Sequence, residues 1–295
     1  MASADDAAER IRSARDLLNP CRLCPRRCGV NRLAGETGFC GAGPEAVVAS
    51  SGPHFGEEDC LVGRGGSGTI FLAGCNLGCA FCQNSDISRS AAGDEMSAAA
   101  LARLMRLLEA RGCENINFVT PTHAAPALLA AVVEARRRGL ALPIVWNSGG
   151  YESVEMLRLL DGFVEIYMPD FKFSRAASAE RYCKAPDYPG AARACLAEMH
   201  RQVGDLVIED GVAARGLLVR HLVMPGGSAE SREVLDFLAG LSGRTFVNVM
   251  GQYRPAGDVL DRRSLTRYAA IARRPTAEEV AEVRDYARSL GLRLA

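Results

Sequence analysis

The segment Gly74-Cys-Asn-Leu-Gly-Cys-Ala-Phe-Cys-Gln-Asn-Ser-Asp-Ile-Ser88 carries three cysteines in a C-x3-C-x2-C pattern, Cys75, Cys79 and Cys82. Thiolates are soft ligands that suit iron–sulfur clusters and zinc. Full iron–sulfur ligation usually takes four cysteines, so three without a nearby fourth indicate an iron left open for a non-protein ligand. The spacing would also place all three on one face of a helix. The glycines that flank and interrupt the cysteines instead favour a loop that wraps a ligand.

This segment resembles the cluster loop of the radical S-adenosylmethionine (SAM) superfamily, including the aromatic Phe81 before the last cysteine. The resemblance implies that the three cysteines hold a [4Fe-4S] cluster whose fourth iron binds the amino and carboxylate groups of SAM. It also implies that one electron cleaves SAM to methionine and a 5′-deoxyadenosyl radical, which abstracts hydrogen from a substrate. The wider runs Gly66–Phe71 and Cys75–Asn84 are similar to the pyruvate formate-lyase-activating-enzyme-like branch, and the similarity continues in pieces to about Pro255.

The composition limits the class of protein. The chain has 295 residues, of which 48% are hydrophobic, so it can build a large core without disulfides. Its 35 Lys and Arg balance 35 Asp and Glu, which gives no electrostatic case for binding nucleic acid or an anionic membrane. The start of the chain, 1–6, lacks the basic and apolar runs of a signal peptide, and no apolar run has membrane-spanning length. We therefore expect a cytoplasmic protein whose 11 cysteines serve metal ligation or catalysis.

Six short apolar runs with helical patterns between them imply a parallel sheet with right-handed crossovers. The predicted strands are 69–73, 116–120, 143–147, 163–168, 217–223 and 245–250. Periodicity leaves open a doubly wound sheet or a partial barrel, and the resemblance implies the partial (β/α)6 TIM-like barrel of radical SAM enzymes. Both architectures place the active site at the carboxyl ends of the strands. The predicted domains are an N-terminal helix and cysteine-rich metal-binding segment at 1–66, the partial barrel at 67–255 and a C-terminal helical extension at 256–295.

Polar side chains accompany the carboxyl ends of the predicted strands, and the resemblance implies that they bind SAM. They are Thr120, Thr122, Asn147, Ser148, Asp170, Lys172 and Arg220. Many family members have Gly-Gly-Glu after the second strand, where the acidic side chain receives the amino group of SAM. Threonine hydroxyls can accept the same hydrogen bonds, although Thr122 fits a helix cap equally well. The segments after strands three and four resemble those that contact SAM and a nearby monovalent cation, but Asn147 stands where an aspartate is usual.

Asp170 and Lys172 also fit an ordinary turn after a strand. Arg220 lies in an apolar strand, where a charge is costly unless it is paired. We expect its side chain to enter the barrel lumen and to point at SAM, as the resemblance implies. His221 then faces the opposite way as a structural residue, and Trp146 belongs to the core because Asn147 takes the adjacent inward position.

Other side chains that could carry chemistry are predicted to be structural. Cys113, Cys183 and Cys195 are scattered through the chain, and we interpret them as ordinary buried residues. The segment of His54, Glu57 and Glu58 is predicted to be a loop histidine with solvated acids, because nothing in the sequence fixes its geometry.

A second group of cysteines lies near the start of the chain. Cys21, Cys24, Cys28 and Cys40 fall within twenty residues that hold little apolar sequence. The spacing loosely fits a tetrahedral zinc site and also a second iron–sulfur cluster, and a segment without metal stays open as well. The same arrangement occurs in the branch that the chain resembles, which does not settle the metal.

The favoured function is a radical SAM oxidoreductase that abstracts hydrogen from a substrate. One version is an activase that acts on a glycine in a partner protein, and another modifies a peptide or a small molecule. The expected electron donor is reduced flavodoxin or ferredoxin. The alternative is a non-catalytic iron–sulfur or zinc protein for electron transfer or binding, which would hold metal without cleaving SAM.

Overall fold

The computed structural model describes residues 4–90 and 92–295, and these contain ten strands in one mixed sheet. The strands are β1 Ala46–His54, β2 Ser67–Leu72, β3 Asp94–Met96, β4 Ile116–Val119, β5 Ile144–Ser148, β6 Ile166–Pro169, β7 Val207–Glu209, β8 Val212–Leu222, β9 Phe246–Met250 and β10 Arg293–Leu294. The α-helices are α1 Ala4–Asp16, α2 Asp59–Val62, α3 Ser85–Ser88, α4 Ala98–Ala110, α5 Ala125–Arg137, α6 Val154–Leu160, α7 Ala176–Cys183, α8 Tyr188–Val203, α9 Ser231–Leu241, α10 Leu265–Tyr268 and α11 Ala277–Ser289.

The six predicted strands form the parallel centre of this sheet, as β2, β4, β5, β6, β8 and β9. Each pairs in parallel with the next along the chain, and helices lie in the crossovers between them. At one edge β10 follows β9, while at the other β1 pairs antiparallel with β2. The sheet therefore does not close on itself. The predicted α/β class with a partial radical SAM barrel is confirmed.

Alternation along the strands separates two apolar layers. Side chains on one face pack with the helices in the larger core and include Ile70, Phe118, Trp146, Tyr167 and Val219. Side chains on the other face form a second cluster with two residues of α2. This cluster includes Val145, Ile166, Met168, Leu218 and Phe246, with Cys60 and Leu61 from α2. The short helix α2 thus fills the inner face of the curved sheet, which we call the lumen.

Helix starts follow the capping chemistry of the sequence. The pattern predicts caps at Ser97 and Ser153, and their side chains accept hydrogen bonds from the backbone of the first turns of α4 and α6. Thr276 and Glu279 form the reciprocal capping box expected at the start of α11.

The N-terminal region is held against the barrel. The sequence predicts a helix over 5–18, and α1 spans Ala4–Asp16 and packs on α5 and α6. Residues 1–3, on which part of the signal-peptide prediction rests, lie outside the described residues. Within 4–90 and 92–295, none of the helices combines the length and apolar composition that crossing a bilayer requires. The proposed domain boundaries stay a prediction.

Candidate functional site

The loop of Cys75, Cys79 and Cys82 follows β2 at its carboxyl end, and we call 74–82 the radical loop. Its glycines are required by geometry, since Gly74 has φ +86 and Gly78 has φ +68, values that side chains disfavour. A Cβ on Gly74 would lie 2.8 Å from the carbonyl oxygen of Cys40. The segment is therefore a loop and not a helix face.

The three thiols of the radical loop are free and close to one another. The amide of Leu77 donates to Cys75 Sγ at 3.3 Å, and Cys82 Sγ lies 3.3 Å from Ser88 Oγ. Burial raises the pKa of the Cys75 thiol to about 11, and negative charge on the other two sulfurs adds to the shift. Three such thiolates are stable together only beside positive charge, which is what a metal cluster supplies. The donor set fits a cluster that is held by three cysteines.

A single metal ion fits less well. Zinc holds its sulfurs at about 2.3 Å in a tetrahedron. In the part of the chain that the structure describes, no three His, Cys, Asp or Glu side chains are placed to hold one ion. This applies to the radical loop and to the N-terminal cysteines alike.

Cys183, at the end of α7, lies next to the radical loop. Its Sγ is 3.4 Å from Cys79 Sγ, and both sulfurs are buried. The hydrogen bond with Cys183, together with burial, raises the pKa of Cys79 well above its usual range. Cys183 is buried, as predicted, and its thiol also contacts an expected cluster ligand.

Asp170 and Lys172 face the radical loop as an ion pair. The Lys172 side chain is 16% exposed. Burial opposes its charge, but the carboxylate of Asp170 and the nearby Cys79 hold its pKa well above the usual range. A carboxylate and an ammonium thus lie side by side at the carboxyl end of β6.

Arg220 enters the lumen, as expected, but it is already paired. Its Nε donates to Glu58 at 2.7 Å, and Glu57 is a second ion-pair partner. Asn248 donates to the same Glu58 carboxylate at 2.7 Å. Although burial raises the pKa of Glu58, its bonds with Arg220 and Asn248 hold that pKa below the usual value. The weakest contact of the guanidinium runs from Nη1 to Asn147 Oδ1 at 3.5 Å.

The prediction of solvated acids at 57–58 is therefore wrong. The side chains of Glu57 and Glu58 are 6% and 3% exposed, because the turn before α2 carries them into the lumen. His54 ends β1, its Nδ1 lies 3.2 Å from Glu57, and its ring packs edge-on against Phe71. We call Glu57, Glu58, Arg220 and Asn248 the lumen network.

Thr122 and Ser148 have a different partner from the one expected. Their hydroxyls interact with Glu152, a buried carboxylate that also accepts a 2.9 Å bond from Trp146 Nε1. Trp146 is in the core as predicted, and Ser148 shares its helix-facing side because side chains alternate along β5. Burial raises the pKa of Glu152 to about 7, against the effect of these bonds. Thr122 makes no cap for α5 either, since the residue before that helix is Ala124 and has no capping side chain.

Thr120 has an unusual backbone. Its φ is +60, and its amide donates to the carbonyl of Asn147 at 2.9 Å. A β-branched residue in this region is a genuine outlier, and such outliers concentrate at functional sites. This outlier lies directly after β4.

His221 is structural, as predicted. Its ring bonds the carbonyl of Phe171 at 2.7 Å and the hydroxyl of Ser231 at 2.8 Å. Burial lowers its pKa to about 4, so it is neutral. The opposite orientations of His221 and Arg220 follow from strand alternation.

The N-terminal cysteines also come together. Burial raises the pKa of Cys24 to about 11, and the charges of Cys28 and Cys40 act on it as well. Cys21 and Cys28 in turn act on Cys40, and the amide of Phe39 lies 3.5 Å from Cys28 Sγ. The structure thus gathers four thiols from 21–40 without regular secondary structure, apart from a short turn.

Comparisons with known proteins bear on this geometry. The model of the Radical SAM superfamily matches residues 69–238, more than half of the chain. The uncharacterized protein MJ0674 of Methanocaldococcus jannaschii is 32% identical over 294 residues, which cover 97% of this chain and 79% of that protein.

Two solved structures were also matched, both of the radical SAM methyltransferase TsrM from Kitasatospora setae. One has a tryptophan substrate and a SAM analogue bound, and the other has cobalamin and a [4Fe-4S] cluster bound. Each is 18% identical and covers 62% of this chain, with TM-scores of 0.45 and 0.46. This chain spans 36% and 34% of those chains, and a likeness of this size carries no functional argument. On the family match and the three-cysteine loop, the chain belongs to the radical SAM superfamily.

Proposed function

We propose that this protein binds SAM at a cluster held by Cys75, Cys79 and Cys82 and uses it to abstract hydrogen from a substrate. The family implies a [4Fe-4S] cluster and SAM, and the cluster supplies the electron for reductive cleavage of SAM to a 5′-deoxyadenosyl radical. The observation that carries the proposal is the set of three free thiols in a glycine-shaped loop at the carboxyl end of β2.

The amino-acid end of SAM carries an amine and a carboxylate, which need an acceptor and a donor respectively. Asp170 and Lys172 offer both beside Cys79. Thr120 is a further candidate, because its unusual backbone angle, φ +60, fixes the conformation of the segment directly after β4. We assign these three residues to the amino-acid end of SAM.

The lumen network supports this site from inside the barrel. Arg220 keeps Nη1 for a ligand, since that nitrogen has only the long contact with Asn147, while Nε and Nη2 are held by carboxylates. The buried pairs fix the position of the guanidinium before a ligand arrives, which lowers the ordering cost of binding. Thr122 and Ser148 are assigned to Glu152 and not to SAM.

The reaction class is hydrogen abstraction, and the substrate stays open. The activase version, with a glycine of a partner protein as substrate, rests on the resemblance to the activating-enzyme-like branch alone. Reduced flavodoxin or ferredoxin in the cytoplasm is the proposed electron donor.

The decisive experiment is anaerobic reconstitution with iron and sulfide, followed by dithionite and SAM. We expect 5′-deoxyadenosine and methionine from the wild type and none from the Cys79→Ala variant. Cys113→Ala is the matched control, because Cys113 is buried like Cys79 but lies outside the radical loop. A protein that takes up the cluster and leaves SAM intact would be the non-catalytic alternative.

A further inference from the structure

Arg26 joins the N-terminal cysteines to the radical loop. It lies between Cys24 and Cys28 in the sequence, and its guanidinium donates to four backbone carbonyls of other segments. These belong to Asn76, Leu77, Cys183 and Lys184. The first two lie between Cys75 and Cys79, at 2.9 and 3.0 Å from the guanidinium. One side chain therefore ties the turn between two expected cluster ligands to the end of α7.

Aromatic rings fix the guanidinium in this place. It lies over the ring of Phe39 at 3.8 Å from the centroid and over Tyr151 at 5.4 Å. The Phe39 ring in turn covers Gly78, where a Cβ would lie 2.8 Å from the ring. Such cation–π contacts strengthen when the cation is desolvated. The residue next to Cys40 thus covers the radical loop, while the residue between Cys24 and Cys28 binds its backbone.

Arg32 provides an independent observation. Its side chain is almost completely buried, and it donates to the carbonyls of Gly43 and His123. No carboxylate of residues 4–90 and 92–295 pairs with it. A buried cation without an anion is costly, and Arg32 lies close enough to Cys40 to act on it electrostatically. Four thiolates around a metal carry net negative charge, which would balance the buried guanidinium.

We propose that Cys21, Cys24, Cys28 and Cys40 hold a thiophilic metal centre, and that this centre fixes the radical loop through Arg26. The centre is an iron–sulfur cluster, because among the described residues these thiols, like those of the radical loop, are not placed to hold a single ion. Residues 17–45 contain little regular structure, so a metal that ties them together supplies folding free energy directly. The centre is structural and lies beside the radical loop. Its role toward that loop rests on the proposed function, whereas metal binding itself does not.

The first test isolates the N-terminal centre. Replacing Cys75, Cys79 and Cys82 by alanine removes the radical cluster, and the protein is then purified without oxygen for metal and sulfide analysis. Iron with sulfide identifies a cluster and supports the proposal, whereas zinc without sulfide overturns it. Metal-free protein overturns it, and so does metal that persists when all four N-terminal cysteines are also replaced. SAM takes no part in this measurement, so its result is separate from that of the proposed function.

The second test concerns the connection through Arg26. In the protein with both centres loaded, Arg26→Met is compared with Arg22→Met, whose side chain is 44% exposed and reaches Glu155 only at 3.8 Å. We expect iron of the radical cluster to pass to a chelator at least about tenfold faster in Arg26→Met, because bonds from a charged donor are lost. The EPR signal of the reduced cluster should also change.

Arg26→Lys keeps the positive charge but loses the planar guanidinium with its several donors. Its rate of iron loss to the chelator should fall between those of the wild type and Arg26→Met. If Arg26→Met does not fold, Arg26→Lys takes its place in the comparison with Arg22→Met. Identical chelation rates and EPR signals in the Arg26 and Arg22 variants would overturn the connection. A Cys24→Ala variant that loses the N-terminal metal but keeps the wild-type radical cluster signal would do the same.

Discussion

The two groups of cysteines have similar spacings but opposite surroundings. At the carboxyl ends of β6 and β8, the cations Lys172 and Arg220 are paired with the carboxylates of Asp170 and Glu58. Around the N-terminal cysteines, Arg26 and Arg32 donate only to backbone carbonyls within the described residues. Paired charges suit a site that receives a zwitterionic ligand such as the amino-acid end of SAM. Unpaired cations suit a permanent anionic centre, so the surroundings separate an open site from a closed one.

The largest difference should appear in SAM cleavage when one cysteine is replaced in each of the two groups in turn. Cys79→Ala is expected to abolish SAM cleavage, whereas Cys40→Ala is expected to lower it without abolishing it. Only the first change removes a ligand of the cluster whose open iron is expected to bind SAM. Chromatographic measurement of 5′-deoxyadenosine distinguishes them, and an equal loss in both variants would remove the contrast.

The carboxylate–cation pairs can be tested by stability. Arg220→Met leaves Glu57 and Glu58 buried without a cation, which should lower the free energy of unfolding by about 3–5 kcal/mol. Arg244→Met is the control, because the Arg244 side chain is 77% exposed and makes only a long contact with Asp205, at 3.9 Å. Exposed pairs contribute about 0–1 kcal/mol. Urea unfolding gives both values, and similar losses in the two variants would show that the lumen network is not a stabilising element.

Glu152 carries a pH dependence. Its pKa is raised to about 7 from 4.5, so the folded protein keeps it protonated where the unfolded chain ionises. Its contribution to stability is full below pH 4.5 and is lost as the pH rises through 7, by about 3 kcal/mol. The free energy of unfolding of Glu152→Gln should therefore rise relative to that of the wild type between pH 5 and pH 8. Unfolding measured at each pH tests this. Glu155→Gln, at an exposed position, should show no such gain.

Loss of one carboxylate should weaken the binding of SAM. Asp170→Ala removes the acceptor beside Lys172, and a hydrogen bond to a charged group contributes about 1.5–3 kcal/mol, or roughly tenfold or more in affinity. The cluster should still assemble. Calorimetry or the EPR response of the reduced cluster to SAM measures the change. An unaltered affinity would remove Asp170 from the SAM site.

The smallest effect concerns Cys183. When Cys79 ligates iron as a thiolate, the Cys183 thiol becomes the donor of their 3.4 Å contact and favours the reduced cluster. Cys183→Ala should lower the reduction potential by about 40 mV, which corresponds to one hydrogen bond of about 1 kcal/mol. Redox titration followed by EPR tests this, with Cys195→Ala as the control. A potential that stays the same would show that the contact has no influence on the cluster.

Local patterns predicted the fold because the decisive signals are short. All six predicted strands occur, although β8 starts at Val212 and not at 217, where its apolar run begins. The orientation of Ser148 was also contained in the sequence, since the alternation that turns Asn147 inward turns its neighbour outward.

The partners within the site could not be predicted in this way. The bond between Arg220 and Glu58 joins residues 162 apart, and that between Cys79 and Cys183 joins residues 104 apart. Periodicity describes one element at a time. Such contacts depend on how α2 and α7 are carried back to the sheet, which a single sequence does not encode in any local pattern.

The packing of α2 also bears on the order of events during turnover. Cys60 and Leu61 pack with Val145, Leu218 and Phe246, so apolar side chains fill the lumen below the carboxyl ends of the strands. SAM and the substrate would then share the space at the carboxyl ends of the strands and could not exchange independently. We therefore expect compulsory-order kinetics, in which SAM enters before the substrate and the modified substrate leaves before methionine and 5′-deoxyadenosine.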